Sequence, residues 1–129
     1  MKDISLKAVA ISSVSSFVLM IVFITLLGTA YGAVQPAGMS EEEIAVAFAT
    51  SWVSMLSLLA VVLAGALGAR IAGKRHVLHG ALSASLNVIW GIFCLIFLMP
   101  LSAMMVLTLL ANPLLGALGG YIYLSLRKD

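Results

Sequence analysis

Charge is the scarcest commodity in this sequence: 9% of its 129 residues are Asp, Glu, Lys or Arg, against about 25% in soluble domains. No Asp or Glu falls inside the long apolar runs, so the intramembrane carboxylate that proton relays and coupled transport commonly use is missing. Cysteine is nearly absent too. The lone Cys94 excludes an internal disulfide, a CxxC metal or redox motif, and quinone-coupled disulfide chemistry within one chain. It reads as a small buried hydrophobe. No phosphate-binding loop, catalytic triad, metalloprotease helix, cofactor motif or nucleic-acid motif occurs, and no polar segment is large enough to carry chemistry. These absences predict a non-enzymatic protein with no catalytic residue, no metal, no cofactor and no nucleic-acid partner.

What remains is apolar. The chain is 63% hydrophobic with a mean hydropathy of +1.19. Four successive apolar segments, at about 8–34, 44–72, 77–99 and 101–126, each exceed the roughly 20 residues that a helix needs to cross a bilayer. Residues 1–129 are therefore expected to form one all-α integral membrane domain of four transmembrane helices. The charged Met1–Lys7, the apolar Ala8–Leu27 and the small residues Gly28-Thr-Ala30 resemble a signal peptide. The run exceeds the usual ~7–15-residue apolar region, however, and reads as a retained first span.

Boundaries are marked by local chemistry. Gln35-Pro-Ala-Gly38 breaks the chain after the first span, and Ser40 stands three residues before Glu43, a capping box that opens the second. Gly73 ends that helix, and Met99-Pro100 turns the third segment into the fourth. The second segment is long, so it either tilts or projects its acidic first turn into water.

All seven Lys and Arg lie at the N-terminus, between the second and third spans, or at the C-terminus. The positive-inside rule then puts both termini in the cytoplasm and the acidic run Glu41-Glu42-Glu43 outside. Three carboxylates at a helix start suit the macrodipole. Tyr31 and Trp52 fall at the outer boundary, and Tyr121 and Tyr123 at the inner one.

A shift of 51 residues lays Ser51–Ile71 on Ser102–Ile122 with 11 identities in 21 positions. This suggests an internal repeat, with two helical hairpins in the same orientation about an axis along the membrane normal. Its core is a shared stretch, Gly65-Ala-Leu-Gly68 and Gly116-Ala-Leu-Gly119. Gly65 and Ala69, Gly68 and Ala72, and Gly116 and Gly120 stand four apart, and so share one helix face. Gly65, Gly68, Gly116 and Gly120 are thus candidate packing residues, since lipid offers no hydrophobic drive and close backbone approach must supply the attraction. The partner is either the same chain or another subunit.

Polar residues inside the spans are few. Asn87 and Asn112 lie 13 and 12 residues from Pro100 on opposite arms, which sets them at similar depth. Asn112 precedes Pro113, whose missing N–H frees the Leu109 carbonyl. Such a pair either packs a bent helix or lines a solute path. In the first span, Ser12, Ser13, Ser15 and Ser16 form the polar patch. Small multidrug-resistance exporters are of similar size, but their embedded first-helix glutamate has no counterpart here. Arg70, Lys74 and Arg75, with His76 or His79 assisting, are candidates for anionic-lipid headgroups, or serve topology alone. The histidines lack the Cys, Asp or Glu companions that a metal would want.

Gly-Ala-Arg-Ile-Ala-Gly-Lys-Arg followed by Leu-His-Gly-Ala, within Gly65–Leu82, resembles the second-to-third helix junction of small four-helix bacterial inner-membrane proteins. The resemblance implies the same topology and a bacterial inner (cytoplasmic) membrane, and brings no known family function. Two functions stand open. One is a helix-packing protein, a homo-oligomer or an accessory subunit among membrane lipids. The other is a small-solute transporter or channel with a polar path near Asn87 and Asn112.

Overall fold

The computed structural model describes residues 4–98 and 103–127. Within them lie α1 (Leu6–Ala33), α2 (Glu41–Ala49), α3 (Trp52–Met55), a 3-10 turn (Leu56–Leu58), α4 (Leu59–Ala72), α5 (His76–Leu82), α6 (Ser85–Phe97) and α7 (Ala103–Leu126). Among the described residues there is no strand. Four helical stretches are long and apolar enough to cross a membrane: Leu6–Ala33, Trp52–Ala72, His76–Phe97 and Ala103–Leu126. The turn expected at Met99-Pro100 lies outside the described residues.

The second span departs from expectation. Residues 44–72 do not form one helix, because the chain leaves helical geometry at Ser51, with φ −86° and ψ 156°. The cause is local. Thr50 Oγ1 donates to Val46 O at 2.9 Å, Ser51 Oγ to Phe48 O at 2.7 Å and Ser54 Oγ to Ser51 O at 2.8 Å. Hydroxyls that take up carbonyls in this way compete with the helical ladder. The acidic turn therefore belongs to the separate helix α2 rather than to a projecting end of the span. A milder joint at Ser83–Ala84 divides α5 from α6, where Ser83 Oγ donates to Gly80 O and Ser85 Oγ to Leu82 O.

The predicted capping box is present at the start of α2. Ser40 Oγ accepts from Glu43 N at 3.2 Å, and Glu43 Oε2 accepts from Ser40 N at 2.8 Å. The Ser40 backbone bond first, and its side-chain bond second, hold the Glu43 carboxyl below its ordinary value. A depressed folded pKa means that the cap contributes above the unfolded pKa and is lost as pH falls through the folded one. We expect Ser40→Ala to move the Glu43 titration upward and to fray α2. Carboxyl NMR chemical shifts against pH would show this, and an unmoved titration would refute it.

At its other end, α4 stops at Gly73, whose φ of +68° only glycine adopts without cost. Arg75 takes a left-handed conformation just before α5, with φ 46° and ψ 47°.

The bundle is inverted relative to a soluble one. Along α1 the buried positions are Ala8, Ser12, Ser13 and Ser16, while Val14, Val18, Ile21 and Leu26 are exposed. In lipid, large aliphatic residues lose nothing by facing outward, and small ones allow helices to approach. α1 meets α4 antiparallel, with Ser12 against Gly68 and Met20 packed near Val61, and meets α2 where Gly28 lies against Phe48. It runs parallel to α5 and α6, as Ser5 reaches His79 and Ser16 reaches Asn87. α7 returns antiparallel to α5 and parallel to α4, with Gly116 against both Gly80 and Gly65. Tight packing concentrates toward the basic end. Toward the acidic end, among the described residues, α2 buries Phe48 alone and α3 buries none.

Candidate functional site: a buried polar layer

Glycine sets how close the helices come. A Cβ placed on Gly65 would overlap the Gly116 carbonyl, and one on Gly116 would overlap the Gly80 carbonyl. Three glycines from α4, α5 and α7 therefore meet at one crossing. Gly119 lies equally tight on Val62 O and Gly120 on His76 O, while a Cβ on Gly68 would come within 2.8 Å of Ser12 Oγ. Gly65, Gly68, Gly116 and Gly120 were expected to pack, and all four contact helices of this same chain. Gly119, the counterpart of Gly68 in the shared stretch, packs as well, and Gly80 joins them without having been singled out. Gly80 stands four residues before Ala84 within the predicted third span, so a small-residue face was legible there too, though its partner Gly116 was not.

This close approach brings polar side chains together inside the bundle. Asn87 and Asn112 are each 2% exposed. Asn87 Nδ2 donates to Ser16 Oγ at 2.7 Å, and Asn112 Nδ2 donates to Thr108 O at 2.8 Å. Both carboxamide oxygens are buried without a partner. The two residues flank one apolar cluster. Ala84, one turn before Asn87, packs in it with Leu58 and Val61, and Ala111, Leu115 and Met20 close over it. Asn112 adjoins Ala111 and lies one turn before Leu115, so both asparagines stand at the level of this cluster. Pro113 lies inside α7, which continues through it as helix.

Ser13 and Ser16 of α1 face α5 and α6, while Ser12 lies against Gly68 of α4. Ser13 Oγ donates to Leu82 O at 3.1 Å and lies 3.2 Å from Ser85 Oγ, and Ser12 Oγ bonds back to Ser12's own helix at Ala8 O. Just outside this layer, Phe17, Leu86, Ile89, Trp90 and Phe93 line an open apolar groove of about 290 Å³. The rings of Phe17 and Trp90 meet edge-on, and Trp90 stacks on Phe93.

The two histidines point to separate tasks. His76 Nδ1 lies 2.9 Å from Ala69 O at the end of α4, and its ring meets Tyr123 edge-on. His79 is fully buried, and its Nε2 accepts from Ser5 N at 2.9 Å. That bond requires the proton on Nδ1, which donates to Arg75 O at 3.1 Å. His79 thus ties the start of α1 to α5. The sequence marked the residue but not this role, because the partner is 74 positions away. Among the described residues no three His, Cys, Asp or Glu gather where they could hold a metal ion. Arg70, Lys74 and Arg75 are exposed around the α4–α5 junction.

No family model, curated protein or solved structure matches this chain. The class is therefore defined by the helices alone: an all-helical chain with four stretches able to span a bilayer, compatible with a multi-pass membrane protein.

Proposed function

We propose that the protein is a non-enzymatic, multi-pass protein of the bacterial inner membrane that acts as a packed helical unit, as a homo-oligomer or as an accessory subunit of a membrane complex. The observation that carries this reading is the three-glycine crossing of Gly65, Gly80 and Gly116, which closes the spans on one another. With the glycines used internally, contact with a second protein would fall to the large outward residues, such as Trp90, Phe93 and Phe97. Lys7, Arg70, Lys74, Arg75 and Arg127 gather at one end of the bundle, which supports cytoplasmic termini. That Gly65 and Gly116 are counterparts under the 51-residue shift, and meet each other, supports two like-oriented hairpins and an internal repeat.

Native mass spectrometry from nanodiscs tests the reading. It should find a defined oligomer or a copurifying subunit, and anionic lipid retained through Arg70, Lys74 and Arg75. A lipid-free monomer would refute it. The second reading, a small-solute path, is favoured by the unpaired oxygens of Asn87 and Asn112. It requires reconstituted protein to show substrate-dependent flux that Asn87→Leu or Asn112→Leu abolishes with folding intact. Absence of flux across small cations and neutral solutes would remove it.

A further inference from the structure

Ser16 Oγ, 2.7 Å from the Asn87 amide, is the buried hydroxyl placed to serve an asparagine, and the others leave Asn112 Oδ1 without a donor. Each hydroxyl has one proton, and Ser12, Ser13, Ser57 and Ser83 give theirs to Ala8 O, Leu82 O, Ser54 O and Gly80 O. Thr108, one turn from Asn112, gives its own to Met104 O. Reversing the Asn112 amide is no remedy, because it would turn Oδ1 onto the Thr108 carbonyl that Nδ2 now satisfies. Asn112 Oδ1 is therefore an acceptor without a donor, 2% exposed, in an apolar bundle. A second acceptor stands close along the helix, since Pro113 has no N–H to give to the Leu109 carbonyl. A buried unsatisfied acceptor costs about 1–3 kcal/mol. Something that donates would recover this.

The surroundings define what it is. Among the described residues the cationic side chains are at the helix ends, so nothing at this level would hold an anion. No carboxylate lies within the spans, so a divalent cation finds no compensating charge. Neutral oxygens suit a ligand that is small and gives hydrogen bonds or positive charge. Carboxamide and main-chain oxygens replace hydration shells in this way in channel filters, and buried waters bridge such groups in globular proteins.

We propose that Asn112 Oδ1 is a binding site for a small ligand that gives a hydrogen bond or positive charge, bound water or a desolvated monovalent cation, at the level of the Asn87–Ser16 pair across the apolar cluster. The site deepens the polar-path reading and rests on it for the residues involved. A resident ligand without flux would keep the site and remove the path.

The full chain in nanodiscs provides the test, with one arm for each source. Water-edited solid-state NMR should transfer polarisation from water to the Asn112 side-chain amide and to the backbone amide at the same position, which the variant below also carries, if water is resident. If a cation is resident, unfolding should be suppressed about tenfold by sodium, potassium or ammonium chloride relative to N-methylglucamine chloride at equal ionic strength. Asn112→Leu, close in volume and without the oxygen, should abolish whichever signal appears. In the cation arm it should also remove the tenfold effect. Both wild-type measurements stand even if this variant fails to fold. No transfer to Asn112 together with no cation dependence would overturn the proposal, and so would a signal that persists in a folded Asn112→Leu protein.

Discussion

Adding a single methyl group at Gly116 should loosen the whole bundle. In Gly116→Ala the new Cβ overlaps the Gly80 carbonyl, and the Gly116 carbonyl is already seated on Gly65. No side chain can rotate away, because every atom in the way is backbone. Helices α4, α5 and α7 must separate, and overpacking of this kind costs about 1–3 kcal/mol, occasionally more. We place Gly116→Ala at about 3 kcal/mol and Gly116→Val beyond it. Gly28→Ala is the control. Its Cβ would lie 3.6 Å from the Phe48 ring, an ordinary contact. Helix propensity favours alanine by up to about 1 kcal/mol, so this variant should be neutral or slightly stabilised. Reversible unfolding in mild detergent compares the two directly. Equal stability would mean that the glycine crossing does not hold the spans together.

The second large effect is expected at His79. His79→Leu fills the site but leaves the Ser5 N–H without its acceptor, at the point where α1 begins. Arg75 O keeps its backbone bond from His79 N at 3.0 Å, so the loss falls mainly on Ser5. Removing one partner of such a buried pair costs about 1–3 kcal/mol. Amide exchange should quicken along the first turns of α1 while α7 stays protected. His79→Gln places an acceptor oxygen at a similar reach and should restore part of the protection. Uniform destabilisation of α1 and α7, with no rescue by glutamine, would mean that His79 matters only by its volume.

The reach of sequence reasoning here followed the range of each interaction. Ser40 and Glu43 formed the capping box because both partners lie within one turn. Gly73 ended α4 because a left-handed residue needs nothing remote. The break at Ser51 was missed although its cause is also local. Mean hydropathy through 44–72 hides a cluster of hydroxyls that bond carbonyls three to five positions back. The Gly80–Gly116 contact, the Ser16–Asn87 bond and the His79–Ser5 tie were out of reach for another reason. Each joins residues about 36 to 74 positions apart, and nothing along the chain specifies which face meets which.

The sequence by itself determined that the chain is all-helical with four stretches long and apolar enough to cross a membrane. The scarcity of charge, the four apolar stretches and the absence of embedded carboxylates follow from composition, and transfer into lipid is close to additive over residues. Tertiary structure alone decided that the glycines close the chain on itself, that Ser13 and Ser16 face α5 and α6 while Ser12 faces α4, and that two asparagine oxygens stay buried without partners. These depend on which backbones approach closely, and in a bilayer that choice rests on shape rather than hydrophobicity.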